Sequence, residues 1–214
     1  ESFARKQGVS PGALTAAVFA YAISRHTGRS DAVFCNIDNG RDIPGVDRSV
    51  GMFVRTLPVH IDTSDDTVDN YLQKATVEIM ETARYGSYPF RKLSKDYGVN
   101  ADITFQFTAG FIDIPMSDLH EGFIPLDEKE SGLTDEMSVN MMGSGDSLIF
   151  SVLHTARFAP ERVISIGRTF DSVLSSMVAG KVSRMKEIQL ASEEDIRREE
   201  DLWSTCETRF TSFL

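Results

Sequence analysis

The chain has 214 residues, 41% of them hydrophobic and 25% charged, and a formal net charge of −10. This length and apolar content suit one compact domain, or one lobe of a larger one, with a substantial core. The negative charge argues against nucleic-acid binding, which needs clustered Lys and Arg, and no apolar run is long enough to span a membrane. Cys35 and Cys206 match no metal spacing, and no stretch resembles a signal peptide, so we expect a cytoplasmic protein.

The first strong element is a helix over 11–27. Ser10 is suited to cap it, Pro11 is suited to its first position, and Gly28 to the residue just past its end. The apolar run at 32–38 then predicts a short strand. The Asn-Gly and Pro-Gly pairs that follow this run predict a loop.

Apolar residues over 51–61 predict a second strand, in which Phe53 is the expected core residue. Pro58 lacks a backbone donor, so this strand should lie at a sheet edge or be broken. Asp65 or Asp66 then opens a long helix that ends near Arg84. Its predicted inward stripe is Val68, Tyr71, Leu72, Ala75, Ile79 and Ala83, and a short helix is predicted over 91–97.

The second half predicts a strand at 103–111 and a hairpin from the runs 137–142 and 147–155, which a Gly-Ser-Gly-Asp turn joins. A long helix begins at Pro160 and ends at Gly180. Its predicted inward residues are Val163, Ile166, Phe170, Val173, Leu174 and Met177. A capping box of Ser192 and Asp195 is predicted to open a last helix. The segment 112–136 is long, irregular and polar, which is typical of a functional or interface segment. These elements predict an α/β fold, a helix-on-sheet sandwich with a mixed, largely antiparallel sheet.

Two segments carry a family resemblance, SVGMFVRTLPVHID at 49–62 and YGSYPFRKLSKDYG at 85–98. In this order they resemble the C-terminal lobe of nonribosomal peptide synthetase condensation domains, which carries a G-x-F-V-N-T-L-P stretch, a helix and a Y-P-F stretch. The residues that match are Gly51, Phe53, Val54, Thr56, Leu57 and Pro58, then Tyr88, Pro89 and Phe90. The wider resemblance runs from about Val9 to Trp203.

The chain departs from the family pattern at three places. Arg55 replaces the family's Asn, which puts any contact by that amide in doubt. The loop FCNIDNGR at 34–41 matches only the Gly-Arg end of the family's G-x-P-V-A-G-R loop. The strand from Ala101 to Phe107 lacks the Arg that precedes it in the family.

The resemblance implies a chloramphenicol acetyltransferase-like fold. It implies that residues 1–203 are a C-terminal lobe and that 204–214 are a tail or the start of an interdomain linker. The implied function is amide-bond formation between aminoacyl or peptidyl thioesters held on carrier proteins. The family's catalytic HHxxxDG motif belongs to the N-terminal lobe and is expected upstream, since the four histidines here (His26, His60, His120 and His154) are isolated. We therefore assign no catalytic residue and no metal site, and expect the fragment alone to be inactive.

The candidate site by resemblance is the loop 49–56, which looks like the floor loop of the family's substrate tunnel. Gly51, Arg55 and Thr56 are its candidate tunnel residues. Arg55 could engage a phosphate or a carboxylate at the tunnel mouth. The alternative is a solvated edge-strand arginine paired with a nearby acid. The segment 112–136 is the candidate for the family's crossing segment over the partner lobe.

The resemblance also implies the partners. They are the N-terminal lobe, peptidyl carrier proteins and adjacent synthetase domains, with no nucleic acid and no membrane. No cofactor is expected to bind directly, because phosphopantetheine arrives on the carrier proteins. A lobe without its partner should also self-associate through the surface near 49–56 and 112–136. Three alternatives stay open. They are a noncatalytic module that recruits a carrier protein or neighbouring domain, an epimerisation or cyclisation relative, and a free-standing acyltransferase half whose upstream lobe would use coenzyme A directly.

Overall fold

A computed structural model describes residues 1–41, 44–46, 48–108, 136–144, 147–190 and 196–197. Within these ranges the helices are α1 Ser2–Gln7, α2 Pro11–Thr27, α3 Val68–Arg84, α4 Phe90–Tyr97 and α5 Pro160–Val178, with a 3₁₀ turn at Met185–Glu187. The strands are β1 Asp31–Asp38, β2 Arg55–Asp62, β3 Ile103–Thr108, β4 Met137–Ser144 and β5 Ser147–His154. None of the helices in these ranges has the length and apolarity needed to cross a membrane.

The strands form one sheet in the order β2-β1-β3-β4-β5. The outer pairings, β1 with β2 and β4 with β5, are antiparallel, and the inner pairings of β3 with β1 and β4 are parallel. The predicted mixed α/β sandwich and the hairpin are therefore confirmed, and the two antiparallel pairings contain most of the paired residues of the sheet. The edge position predicted for the Pro58 strand is also confirmed, and β2 continues through Pro58 opposite Cys35.

The core forms where α2 lies on the sheet between α3 and α5. Helix α2 is buried over most of its length, from Ala13 to Ser24, because it has neighbours on three sides. At its centre, the Phe19 ring meets Phe34 edge-on at 5.4 Å between centroids and stacks on Phe105 at 5.2 Å. Such pairs add about 0.5–1.5 kcal/mol each beyond the area they bury.

The predicted ends of α2 are confirmed. The Ala13 N–H donates to Ser10 Oγ at 3.1 Å, and Gly28 adopts the left-handed conformation at φ 69°. The start of α3 differs from the prediction, because Thr67 rather than Asp65 or Asp66 caps it. Asp66 instead accepts a hydrogen bond from the Thr67 N–H just outside the helix. Four residues of the predicted stripe are buried, and Ile79 and Ala83 are half-buried near the exposed end of the helix.

The second strand begins at Arg55, four residues later than predicted. Its partner β1 ends at Asp38, which lies directly opposite Arg55, so residues 51–54 have no strand to pair with. The predicted capping box of Ser192 and Asp195 and nearly all of the segment 112–136 lie outside the described residues.

Candidate functional site

Residues 39–54, here called the connecting loop, join β1 to β2, and the candidate site is built around the described part of this loop, 39–41, 44–46 and 48–54. Asp38 and Arg55 face each other at its base. The Arg55 Nε and Nη2 atoms donate to Asp38 Oδ1 at 2.9 and 2.6 Å, and the same oxygen accepts the Gly40 N–H at 2.8 Å. One carboxylate oxygen therefore joins the start of the loop to the residue that follows its end.

Arg55 is less exposed than the sequence suggested. The side chains of Arg55 and Asp38 are 18% and 29% exposed. The pairing with a nearby acid agrees with the second interpretation of Arg55, but the arginine is partly buried rather than solvated. A tunnel role for Arg55 stays a prediction.

The Gly-Arg pair of the loop holds the loop folded. Gly40 has φ 64°, and a Cβ built there would lie 1.8 Å from the Phe53 carbonyl oxygen, so only glycine fits. Arg41 Nη1 donates to the carbonyl oxygens of Val46 and Ser49 at 2.8 and 3.0 Å. The Arg41 guanidinium also lies 4.9 Å from the centroid of the Phe53 ring. The two residues that match the family loop are thus structural.

Phe53 is half-buried under Arg41 and is not the core residue that the sequence predicted. Gly51 is exposed and close to Phe53, since a Cβ at Gly51 would lie 3.1 Å from Phe53 Cε2. Three apolar side chains of the loop project outward, here called the crest: Val50 is fully exposed, Met52 is 88% exposed and Val54 is 53% exposed. An apolar crest on a folded loop is typical of a surface that another protein unit covers.

A cavity of about 270 Å³ lies beside the connecting loop, at the carboxyl ends of the parallel strands β1 and β3 and near the beginning of α2. Ligands of open α/β sheets commonly bind outside such strand ends. The cavity is lined by Ser10, Gly12, Ala13, Ala16, Asn36, Ile37, Asp38, Asn39, Val54, Ile79, Gln106 and Phe107. Its polar side chains offer hydrogen-bonding groups beside an apolar wall.

Thr56, the third candidate residue, does not line this cavity and lies beside α4. It is half-buried opposite Ile37 and lines two grooves, of about 530 and 440 Å³, that flank α4. The larger groove is lined by both polar and apolar side chains. The smaller one is mostly apolar and is lined by Thr56, Leu57, Pro58, Thr82, Tyr85, Tyr88, Phe90, Leu93 and Tyr97.

Helix α4 has an unusual combination of features that the sequence analysis missed. It contains no buried residue, and its exposed surface carries Arg91, Lys92 and Lys95. Lys92 pairs with Asp96, which also accepts a hydrogen bond from the Tyr88 hydroxyl at 2.9 Å. The hydrogen bond from Lys92 lowers the pKa of Asp96. The alternation of basic and apolar residues in FRKLSKDY is the signal that could have identified this amphipathic surface.

The described histidines lie apart from one another. His26 Nε2 lies 2.9 Å from Thr169 Oγ1 between α2 and α5, His60 contacts Asp31 at the sheet edge, and His154 contacts the backbone of Thr155. His120 lies outside the described residues. Among the residues described, no group of three metal-ligating side chains comes together.

Comparisons with known proteins agree with this arrangement. The family model described as "Condensation domain" matches residues 1–198. A linear gramicidin synthase protein of Brevibacillus parabrevis is 23% identical over an alignment of 205 residues, and the match covers 91% of this chain and 3% of that protein. The chain thus spans a small part of the length of this curated relative.

Two solved structures show the same fold. The first condensation domain of the CDA synthetase has a TM-score of 0.69 and 16% identity, and the match covers 89% of this chain and 44% of that one. The X-domain in complex with OxyB from teicoplanin biosynthesis has a TM-score of 0.67 and 17% identity, again with 89% and 44% covered. The chain therefore corresponds to less than half of each of those chains.

Proposed function

Because this chain belongs to the condensation-domain family of nonribosomal peptide synthetases, we propose that residues 1–203 form the C-terminal lobe of one such domain. The family match over nearly the whole chain carries the proposal. Two further observations support the lobe assignment. The chain covers 44% of a solved condensation-domain chain, and its matching motifs at 51–58 and 88–90 occur in the order of that lobe.

The proposed reaction is amide-bond formation. The amine of an aminoacyl group on one carrier protein attacks the thioester carbonyl of a donor on another. The C–N bond forms, the C–S bond breaks, and the donor's phosphopantetheine leaves as a thiol. The HHxxxDG motif of the other lobe would organise this step in the cytoplasm, and this lobe would bind no cofactor of its own. Holding two reactants in place can itself supply much of the rate acceleration.

The connecting loop is the proposed wall of the tunnel on this side. Gly51 keeps the loop close to Phe53, Arg55 closes its base, and Thr56 presents a half-buried hydroxyl beside α4. The apolar crest is the proposed contact with the N-terminal lobe, because exposed Met52 and Val54 lose unfavourable hydration when a partner covers them.

The proposed docking surface for a carrier protein is α4. The chain has a net charge of −10, yet Arg91, Lys92 and Lys95 lie together on this helix beside an apolar groove. A basic surface next to an apolar groove suits an acidic partner with an apolar side chain at its centre. Charge complementarity would mainly speed the encounter between the two proteins.

An assay with two loaded carrier proteins tests the proposal. The complete parent domain should form the amide, and this chain alone should not. Turnover by the chain alone would overturn the assignment as one lobe of an enzyme. Within the parent, Lys95→Glu should raise the KM for one of the two carrier proteins by about three- to tenfold, as rim charges act mainly on association. The matched control is Lys181→Glu, a charge reversal at an exposed lysine just after α5.

The second candidate is a noncatalytic module that recruits another protein. The similarity to an X-domain solved in complex with OxyB favours it. In that case the parent would bind its partner but form no amide, and the HHxxxDG motif upstream would be degraded. An epimerising or cyclising relative would instead keep the motif and give a different product in the same assay.

A further inference from the structure

Three parts of the chain, two of them adjacent in sequence, meet at or next to the guanidinium of Arg55. The first is the end of β1, through Asp38 Oδ1 at 2.6 Å. The second is the start of the connecting loop, because the same oxygen accepts the Gly40 N–H at 2.8 Å. The third is the turn after α3, where a Cβ built on Gly86 would lie 3.0 Å from Arg55 Nη1 and 3.2 Å from Cζ. The guanidinium therefore lies directly against the Gly86 backbone.

Gly86 belongs to the turn that leads into α4. Its N–H donates to Ala83 O at 3.0 Å, and two residues later the Tyr88 N–H donates to Tyr85 O at 3.0 Å. Helix α4 itself has no buried residue, and its innermost side chains, Phe90, Leu93 and Ser94, are half-buried. The turn that precedes it lies against the partly buried Arg55 and gives α4 a second attachment to the sheet.

We infer that Arg55 is a positioning residue that holds the connecting loop and α4 in one fixed arrangement. The planar guanidinium can pair with a carboxylate while one side lies against a backbone. An uncharged side chain at this position would offer Asp38 no ion pair, so the arrangement depends on the arginine. Its catalytic consequence rests on the proposed function: the carrier surface on α4 would keep a constant distance from the tunnel wall.

Hydrogen–deuterium exchange of the 214-residue chain, at short labelling times, tests the link without any activity. Arg55→Ala should speed exchange about tenfold in both 39–54 and 86–97, and leave α2 unchanged. Gly86→Ala should also speed exchange in both segments, because its Cβ would displace the guanidinium. That Cβ would lie 2.9 Å from Ala83 O as well and disturb the turn directly, so faster exchange in 39–54 is the change that reports on Arg55. The matched control is Arg84→Ala, which removes an exposed arginine that pairs with Glu81 near the same turn and should change neither segment.

Lysine at this position separates the two contacts. Arg55→Lys keeps a charge for Asp38 but has no planar group for Gly86, so exchange should stay slow in the connecting loop and become fast in 86–97. Two results would overturn the inference. Faster exchange in the loop alone for both Arg55→Ala and Gly86→Ala would mean that Arg55 only closes the loop. Faster exchange throughout α2 and the sheet would mean a general loss of stability.

The catalytic consequence is measured separately in the complete parent domain. Gly86→Ala should lower kcat/KM for the carrier protein that docks on α4 by about tenfold, chiefly through KM. A wild-type parent that forms no amide would defeat the proposed function, while the exchange data would still decide whether Arg55 links the two segments. Normal kinetics for Gly86→Ala, beside a changed exchange pattern, would show that the link does not reach catalysis and would overturn that part of the inference.

Discussion

Replacing Gly40 with alanine should destabilise the chain much more than the same change at Gly28, although the two glycines have nearly the same backbone conformation. Gly40 has φ 64° and Gly28 has φ 69°. A Cβ at Gly28 would meet no atom within 4 Å, whereas at Gly40 it would lie 1.8 Å from the Phe53 carbonyl oxygen. Gly28 therefore measures the conformational cost alone, and Gly40 adds the contact that closes the connecting loop.

The left-handed conformation costs a non-glycine residue about 1–2 kcal/mol, which is the whole effect expected for Gly28→Ala. At Gly40 the loop must also move away from Phe53. The stacking of Arg41 on Phe53 would be lost, at about 0.5–1 kcal/mol. The Arg41 hydrogen bonds to Val46 and Ser49 would be lost as well, at about 0.5–1.5 kcal/mol each. Gly40→Ala should therefore cost roughly 2.5–6 kcal/mol, and no more, because the loop opens without unfolding the core.

Urea unfolding followed by circular dichroism measures both free energies of unfolding. For a chain of this size the difference should also appear as a lower melting temperature, by about 2–4 °C per kcal/mol. Limited proteolysis should cut the connecting loop faster in Gly40→Ala than in Gly28→Ala. Equal destabilisation by the two variants, with equal cleavage, would refute the close contact between Gly40 and Phe53 and the folded loop built on it.

Three further outcomes are expected. Burial, and then the charge of Arg162, lower the pKa of His26 below its usual 6.5, so the unfolded state binds the proton more tightly. The free energy of unfolding should fall as the pH drops from about 7 to about 5. In urea titrations, His26→Asn should remove most of this dependence of the free energy of unfolding on pH. An unchanged pH dependence in the variant would contradict the assignment to His26. Tyr71→Phe removes a buried hydroxyl that donates to Ala17 O at 2.6 Å and should cost about 1 kcal/mol in the same assay, while a neutral result would question that bond. Light scattering should show that the chain self-associates and that the Met52→Ser variant self-associates less. A strict monomer at high concentration would show that the crest can stay exposed to solvent without a partner.

The sequence alone determined those elements whose signals are local. Helix α2 could be predicted to the residue because its cap Ser10 and its terminal Gly28 lie within a few residues of the hydrogen bonds they affect. The hairpin of β4 and β5 follows from two apolar runs and the turn between them. The edge position of β2 follows from the missing donor of Pro58. The family motifs, too, could be read directly, since each occupies a short continuous stretch.

Only the tertiary structure decided where the apolar residues of the connecting loop go. Met52 and Val54 look like strand residues, but β1 ends opposite Arg55 and leaves them without a partner strand. The contact of Arg55 with Gly86 joins positions about thirty residues apart, and no local pattern encodes such a distance. An apolar residue lies in the core, on the exposed crest or in a groove according to which distant segment packs against it. That packing is decided by the tertiary structure and not by the local sequence.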